Sequence, residues 1–128
     1  MIRSIAVCLR SQTYPPNEYV VEEGSVGSEM YFIERGTVEV IEPISREIRG
    51  KLHGGAFFGE LSILLGVRRA MSVRTHRSAF VDLFILTRTD FDTVMDQYPN
   101  LRHHLLEKVK HFLNGQQYAP NRIKEEDF

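Results

Sequence analysis

One cysteine, a net charge close to zero and no long apolar run set the first limits on this 128-residue chain. With Cys8 alone there is no internal disulfide framework, which suits a reducing compartment. Sixteen Lys+Arg against seventeen Asp+Glu leave a formal charge of -1, so no whole-surface attraction for nucleic acid or anionic membrane is expected. Any phosphate must then be gripped by a local site. The most apolar stretch, 52–67, is broken by His53, Glu60 and several glycines and is too short and polar to span or insert into a membrane. The N-terminus lacks the basic, apolar and small-residue sequence of a secretory signal. Internal repeats and low-complexity segments are absent as well.

What remains is a chain of ordinary domain length whose 42% hydrophobic content is enough for one core. Ile2, Ile5, Ala6 and Leu9 recur at helical spacing, which predicts the end of a helix over 1–11. From residue 12 to 87 glycines and prolines punctuate short β-prone runs: Tyr19-Val20-Val21, Met30 to Ile33, Thr37 to Ile41, Ser72-Val73 and Phe80 to Leu86. Turn signals at that spacing predict an antiparallel, jelly-roll-like β-roll. Within it, Glu60 to Leu65 follows Gly59 and is too apolar for a surface loop, so one short helical turn is expected there. A helix start presents unpaired N–H groups that suit an anion. Beyond 87 the period changes. Thr89 is a candidate cap for a helix that buries Phe91, Val94 and Met95, Pro99 ends it and opens another, and Leu101, Leu105, Val109, Phe112 and Leu113 give that last helix an apolar face. Gly115 stops it, and 116–128 reads as a polar, flexible tail. The fold class is thus α+β, a β-roll followed by helices over 88–115.

Chemistry concentrates in Phe57 to Ala70. Gly59 permits close backbone approach, and Arg69, nine residues after Glu60, can return on a strand toward the same spot. Oriented donors and a guanidinium suit a phosphate diester, because Arg gives its oxygens two parallel bonds. A carboxylate beside a phosphate needs another partner, and a ribose hydroxyl can donate to it. Sugar plus phosphate means a nucleotide.

Over residues 12–115 the sequence resembles a cyclic nucleotide-binding domain. The phosphate-cassette pattern of that family, Phe-Gly-Glu-apolar-small-apolar-apolar and then Arg with a small residue, is met by Phe58 through Leu64 and by Arg69-Ala70. Tyr19, Gly24, Gly27, Met30 to Ile33 and Gly36 fall where the family places early strands and turn glycines. The resemblance implies that Arg69 holds the cyclic phosphate and Glu60 the ribose 2′-hydroxyl, with Phe58, Gly59, Leu61 and Ala70 around them. It also implies that Val40 and Leu52 line the base pocket and that the last helix closes as a lid, Phe112 touching the base. Arg68-Arg69 and Asp90-Phe91 to Tyr98-Pro99 make it most similar to cyclic-nucleotide-gated and hyperpolarisation-activated channels. That implies cAMP or cGMP as ligand, no cofactor, and the rest of a tetrameric cation channel as the attached partner, with this part in the cytoplasm. Ala70, where many cGMP-responsive members have Thr, leans the reading toward cAMP. The segment 42–50 matches nothing informative.

Other functions are weighed against this one. A kinase regulatory subunit would bring tandem cassettes and a pseudosubstrate, and a transcription regulator would bring a helix-turn-helix. A β-roll metal enzyme and a degenerate, non-binding structural module are the remaining alternatives. His104, Glu107 and His111 are spaced on one helix but are expected to be solvent-facing, and no metal is assigned. Ser62 has no His base in its local sequence, so no catalytic residue and no enzyme activity are expected.

Overall fold

The computed structural model describes residues 9–113, with side chains to 107. Two four-stranded antiparallel sheets form. The first has the order β1 (Arg10–Tyr14), β8 (Val81–Thr87), β3 (Glu29–Arg35), β6 (Phe57–Phe58). The second has the order β2 (Tyr19–Val21), β7 (Ser72–Thr75), β4 (Thr37–Ile41), β5 (Ile48–His53). Helix α1 (Glu60–Leu65) lies between β6 and β7, and α2 (Arg88–Gln97) and α3 (Pro99–Leu113) follow β8. The expected β-roll with a short internal helix and C-terminal helices is present.

The first sheet is the middle layer, and its strand sequences show why. Successive side chains of a strand point to opposite faces. In β3, Met30 and Phe32 join a core with Leu86, Phe91, Val94, Met95, Leu101 and Leu105, beneath the helices. Tyr31 and Ile33 face the other way, into a core shared with Val38, Leu52 and Val73 of the second sheet. Phe57 and Phe58 divide between the same two cores. A strand buried on both faces reads as a continuous apolar run, and Met30 to Ile33 is one.

Three strands went unread in the sequence, two because they are exposed and one because it is short. In β1 and β5 nearly every residue is exposed, Leu52 being the buried exception in β5, so neither carries a period-two apolar pattern. Only pairing defines them: Gln12 opposite Leu83, and Glu39 opposite Lys51. The third, β6, is two residues long. β1 begins at Arg10, opposite Ile85, so extended structure starts inside the segment expected to be helical; residues 1–8 lie outside the described part. A second correction concerns α2. Its cap is Thr87, not Thr89: the Thr87 hydroxyl accepts from the Asp90 N–H at 3.4 Å, and the chain passes directly from β8 into the helix. Phe91, Val94 and Met95 form the buried face, as the spacing requires.

Candidate functional site

Gly59 joins β6 to α1 with φ 88°, a left-handed conformation that L side chains rarely adopt. Space forbids a side chain there as well, since a Cβ would stand 2.9 Å from Arg69 Nη1 and 3.1 Å from the Glu29 carbonyl oxygen. The chain then makes the short turn of α1, closed by the Gly66 N–H donating to the Ser62 carbonyl at 3.0 Å, and comes back to Arg69.

Arg69 lies in the loop before β7, not on a strand as expected from the sequence. Its position is fixed by the β2–β3 loop rather than by a ladder. The Arg69 N–H donates to the Ser25 carbonyl at 2.9 Å, and the Arg69 carbonyl accepts from the Gly24 N–H at 2.7 Å. From there the side chain turns inward and is buried. Nη1 donates to the Gly59 carbonyl and Nη2 to the Glu29 carbonyl, each at 2.7 Å. A guanidinium has five N–H donors, and two are used by these bonds. Burial lowers the Arg69 pKa from its usual value, and Tyr31, Glu29 and Glu60 oppose that shift. The arginine remains a cation at neutral pH, desolvated and aimed at the start of α1.

Glu60, the first residue of α1, is 1% exposed. It is thus buried, not a helix-start charge facing solvent, and its charge acts on the Arg69 guanidinium. Neighbouring carboxylates and phenols complete the surroundings. Tyr31 donates to Glu29 Oε1 at 3.3 Å, and burial, then Glu29, push its pKa up to about 12. A cavity of roughly 290 Å³, at the small end of ligand-binding cavities (about 300–1,000 Å³), adjoins Arg69. Its wall includes Tyr19, Glu22, Ser25, Gly27, Glu29 and Tyr31.

Of the residues anticipated for the site, Gly59, Glu60 and Arg69 are brought together. Leu61 is half-buried and Ala70 exposed beside them. Val40 and Leu52 are diagonal neighbours on the β4–β5 ladder, where Val38 faces Leu52 and Val40 faces Gly50, so they share one face. Leu52 is built into the core between the sheets and Val40 packs against it. Phe58 is also a core residue, its ring stacked on Tyr31 with centroids 5.0 Å apart. Phe112 lies in α3, but its side chain is outside the described residues. His104 is not solvent-facing: it is half-buried, its ring set edgewise to that of Phe57 with centroids 6.1 Å apart. Sequence reasoning missed Ser25, Glu29 and Tyr31, because their part in the site is a matter of which loop passes Arg69. Gly27 was legible only as a turn glycine.

Known proteins resemble this chain in sequence and fold. The model of the cyclic nucleotide-binding domain family matches residues 11–98. The chain is 36% identical to a human cyclic nucleotide-gated channel beta-1 over 98% of its own length and 10% of the channel's. It is 30% identical to a Caenorhabditis elegans cyclic nucleotide-gated channel over 98% of this chain and 18% of that protein. A rabbit (Oryctolagus cuniculus) potassium/sodium hyperpolarization-activated cyclic nucleotide-gated channel 1 is 38% identical over 73% of this chain and 10% of the channel. The chain therefore spans a fifth or less of the length of these relatives. Among solved structures, the regulatory domain of Toxoplasma gondii PKA with cAMP aligns with TM-score 0.63 and 25% identity, over 69% of this chain and 34% of that one. The fold of PKAR CBD2 bound to Sp-2Cl-cAMPS matches with TM-score 0.71 at 24% identity, over 89% of this chain and 77% of that one.

Proposed function

This chain belongs to the cyclic nucleotide-binding domain family, and from that premise we propose that Arg69 and the turn at Gly59-Glu60 hold the phosphate and ribose of cAMP or cGMP. The observation that carries the reading is the buried Arg69 guanidinium, anchored by the carbonyls of Gly59 and Glu29 with N–H donors to spare. A pre-placed, desolvated cation can meet a phosphodiester without first paying to be ordered. Glu60 serves the ribose 2′-hydroxyl as acceptor, since a buried carboxylate would repel the phosphate itself. Val40 and Leu52 supply apolar surface for the base. Ala70 has no hydroxyl to offer a guanine, which favours cAMP.

The module binds and regulates; it does not catalyse. Ligand preference for a closed position of α3 shifts the population toward that position, and Phe112 is the side chain that meets the base. The attached effector is a cation channel, a reading supported by 30–38% identity to channel relatives against 24–25% to PKA regulatory domains. Among the described residues no helix is long and apolar enough to cross a membrane.

Calorimetric titration of the chain with cAMP and with cGMP, beside Arg69→Ala, tests the proposal. Removing one partner of a buried ion pair costs roughly 3–5 kcal/mol, on the order of a hundredfold or more in affinity. The expected result is one-to-one binding that the variant loses, with cAMP bound more tightly. A folded chain that binds neither nucleotide would show a structural module instead.

A further inference from the structure

We infer that Gly27 is a positioning residue for Arg69: the side chain missing at position 27 leaves the space that the guanidinium occupies, and so residue 27 decides whether Arg69 can be presented to a phosphate. The inference deepens the nucleotide-binding reading above and rests on it for the effect on affinity.

An ideal Cβ built on Gly27 overlaps Arg69 Cζ, Nε and Nη2, and these are the three atoms nearest to it. Backbone conformation is no reason for glycine here. Gly24, Gly36, Gly55, Gly59 and Gly66 have positive φ, and Gly27 is not among them. Nor is the position open, as it is at Gly24, Gly50 and Gly66, where an added Cβ meets nothing within 4 Å. What stands in the way of a side chain at 27 is the functional group itself.

Arg69 cannot retreat as a whole from such a contact. Its backbone is tied on both sides to the β2–β3 loop, through the Ser25 carbonyl at 2.9 Å and the Gly24 N–H at 2.7 Å. The planar guanidinium is held at both ends, by the Gly59 and Glu29 carbonyls. A methyl group at 27 therefore moves the guanidinium and breaks one or both of these bonds. The end of an arginine is flexible, and the adjoining cavity gives it room, so the fold tolerates the move. Gly27 thus acts on ligand binding only through Arg69.

Four chains test this: wild type, Gly27→Ala, Arg69→Ala and the double variant. Each is titrated with cAMP and cGMP and melted, and the crystal structure of Gly27→Ala is determined without nucleotide. The expected G27A protein is folded, melts close to wild type, binds at least tenfold more weakly, and has Arg69 displaced from one or both carbonyls. In the Arg69→Ala background, Gly27→Ala changes neither melting nor residual affinity, because the space is already free. Four results overturn the inference: Arg69 undisturbed in the crystal, a G27A affinity equal to that of a wild type that binds, a G27A that fails to fold, or an equal loss of affinity on Gly27→Ala in both backgrounds. If wild type binds neither nucleotide, the proposed function fails, while the crystal structure of Gly27→Ala still decides the positioning of Arg69.

Discussion

Two backbone carbonyls hold the terminal nitrogens of Arg69, that of Glu29 in β3 and that of Gly59, whose own conformation matters. At Gly59, φ is 88° and a Cβ would press on both Arg69 Nη1 and the Glu29 carbonyl. Gly59→Ala is expected to cost roughly 1–3 kcal/mol from the strained backbone alone, read as a lowered urea midpoint, and to weaken nucleotide binding by shifting the guanidinium. Tyr31, beneath the same site, has its pKa raised to about 12 by burial, with Glu29 adding to it. A phenol that ionises near 10 in the unfolded chain is then kept neutral by the fold, so the folded state binds the extra proton between those values. Stability is complete below about pH 10 and falls as pH rises toward about 12. Tyr31→Phe should flatten much of that fall in urea titrations, at the cost of the hydrogen bond to Glu29 (about 1 kcal/mol). A fall of unchanged depth would show that other groups carry it.

At the scale of elements, strands β2 and β7 are closed by side-chain bonds as much as by ladders. The buried Thr75 hydroxyl donates to the Pro15 carbonyl at 2.7 Å and accepts from the Glu18 N–H at 2.8 Å, fixing the turn between β1 and β2. Thr75→Val keeps the shape and removes both bonds. The expected loss is about 1–3 kcal/mol, since the exposed turn lets water reach the released groups. Faster amide exchange at Asn17 and Glu18, with the rest of the chain unchanged, would place the effect in the turn. On the same strand Arg74 faces Glu39 across the ladder at 3.5 Å and lies over the Tyr19 ring, which joins β2, β7 and β4 on one face. A further tie, from the Arg88 N–H to the Ser28 carbonyl at 2.8 Å, links the loop that holds Arg69 to the first residue of α2.

On the scale of the molecule, three layers share two cores, and the middle sheet belongs to both. α3 reaches it through Leu101 and Leu105, each fully buried. Leu105→Ala removes a side chain from the core beneath the helices, at a cost of roughly 2–5 kcal/mol. The site is on the far side of that sheet's strands from this contact, so Arg69 keeps its two carbonyls. Hydrogen exchange should therefore accelerate in α3 while protection in β2 and β7 persists; equal acceleration in both would mean that the two cores unfold as one unit.

Period and punctuation were enough to place most of the strands that bury side chains: Tyr19-Val20-Val21, Met30 to Ile33, Thr37 to Ile41 and, of the run from Phe80, Val81 to Leu86 lie in strands. The same holds for the buried face of α2 and for the Gly59-Glu60 turn with Arg69 nine residues on. These features are local, because apolar alternation, a glycine and a charged residue at fixed spacing are visible without neighbours. Exposed strands such as β1 and β5 carry no such pattern, and their backbones are extended only because β8 and β4 offer hydrogen bonds to them. The same is true of the cap at Thr87, the half-burial of His104 against Phe57, and the part played by Glu29, Ser25 and Gly27 around Arg69. Each depends on which distant segment passes nearby. The sequence by itself determined that there would be a roll, a Gly-Glu turn within it and an arginine nine residues beyond. Only the tertiary structure decided where that arginine stands, since the bonds that hold it come from residues ten to forty-five positions away.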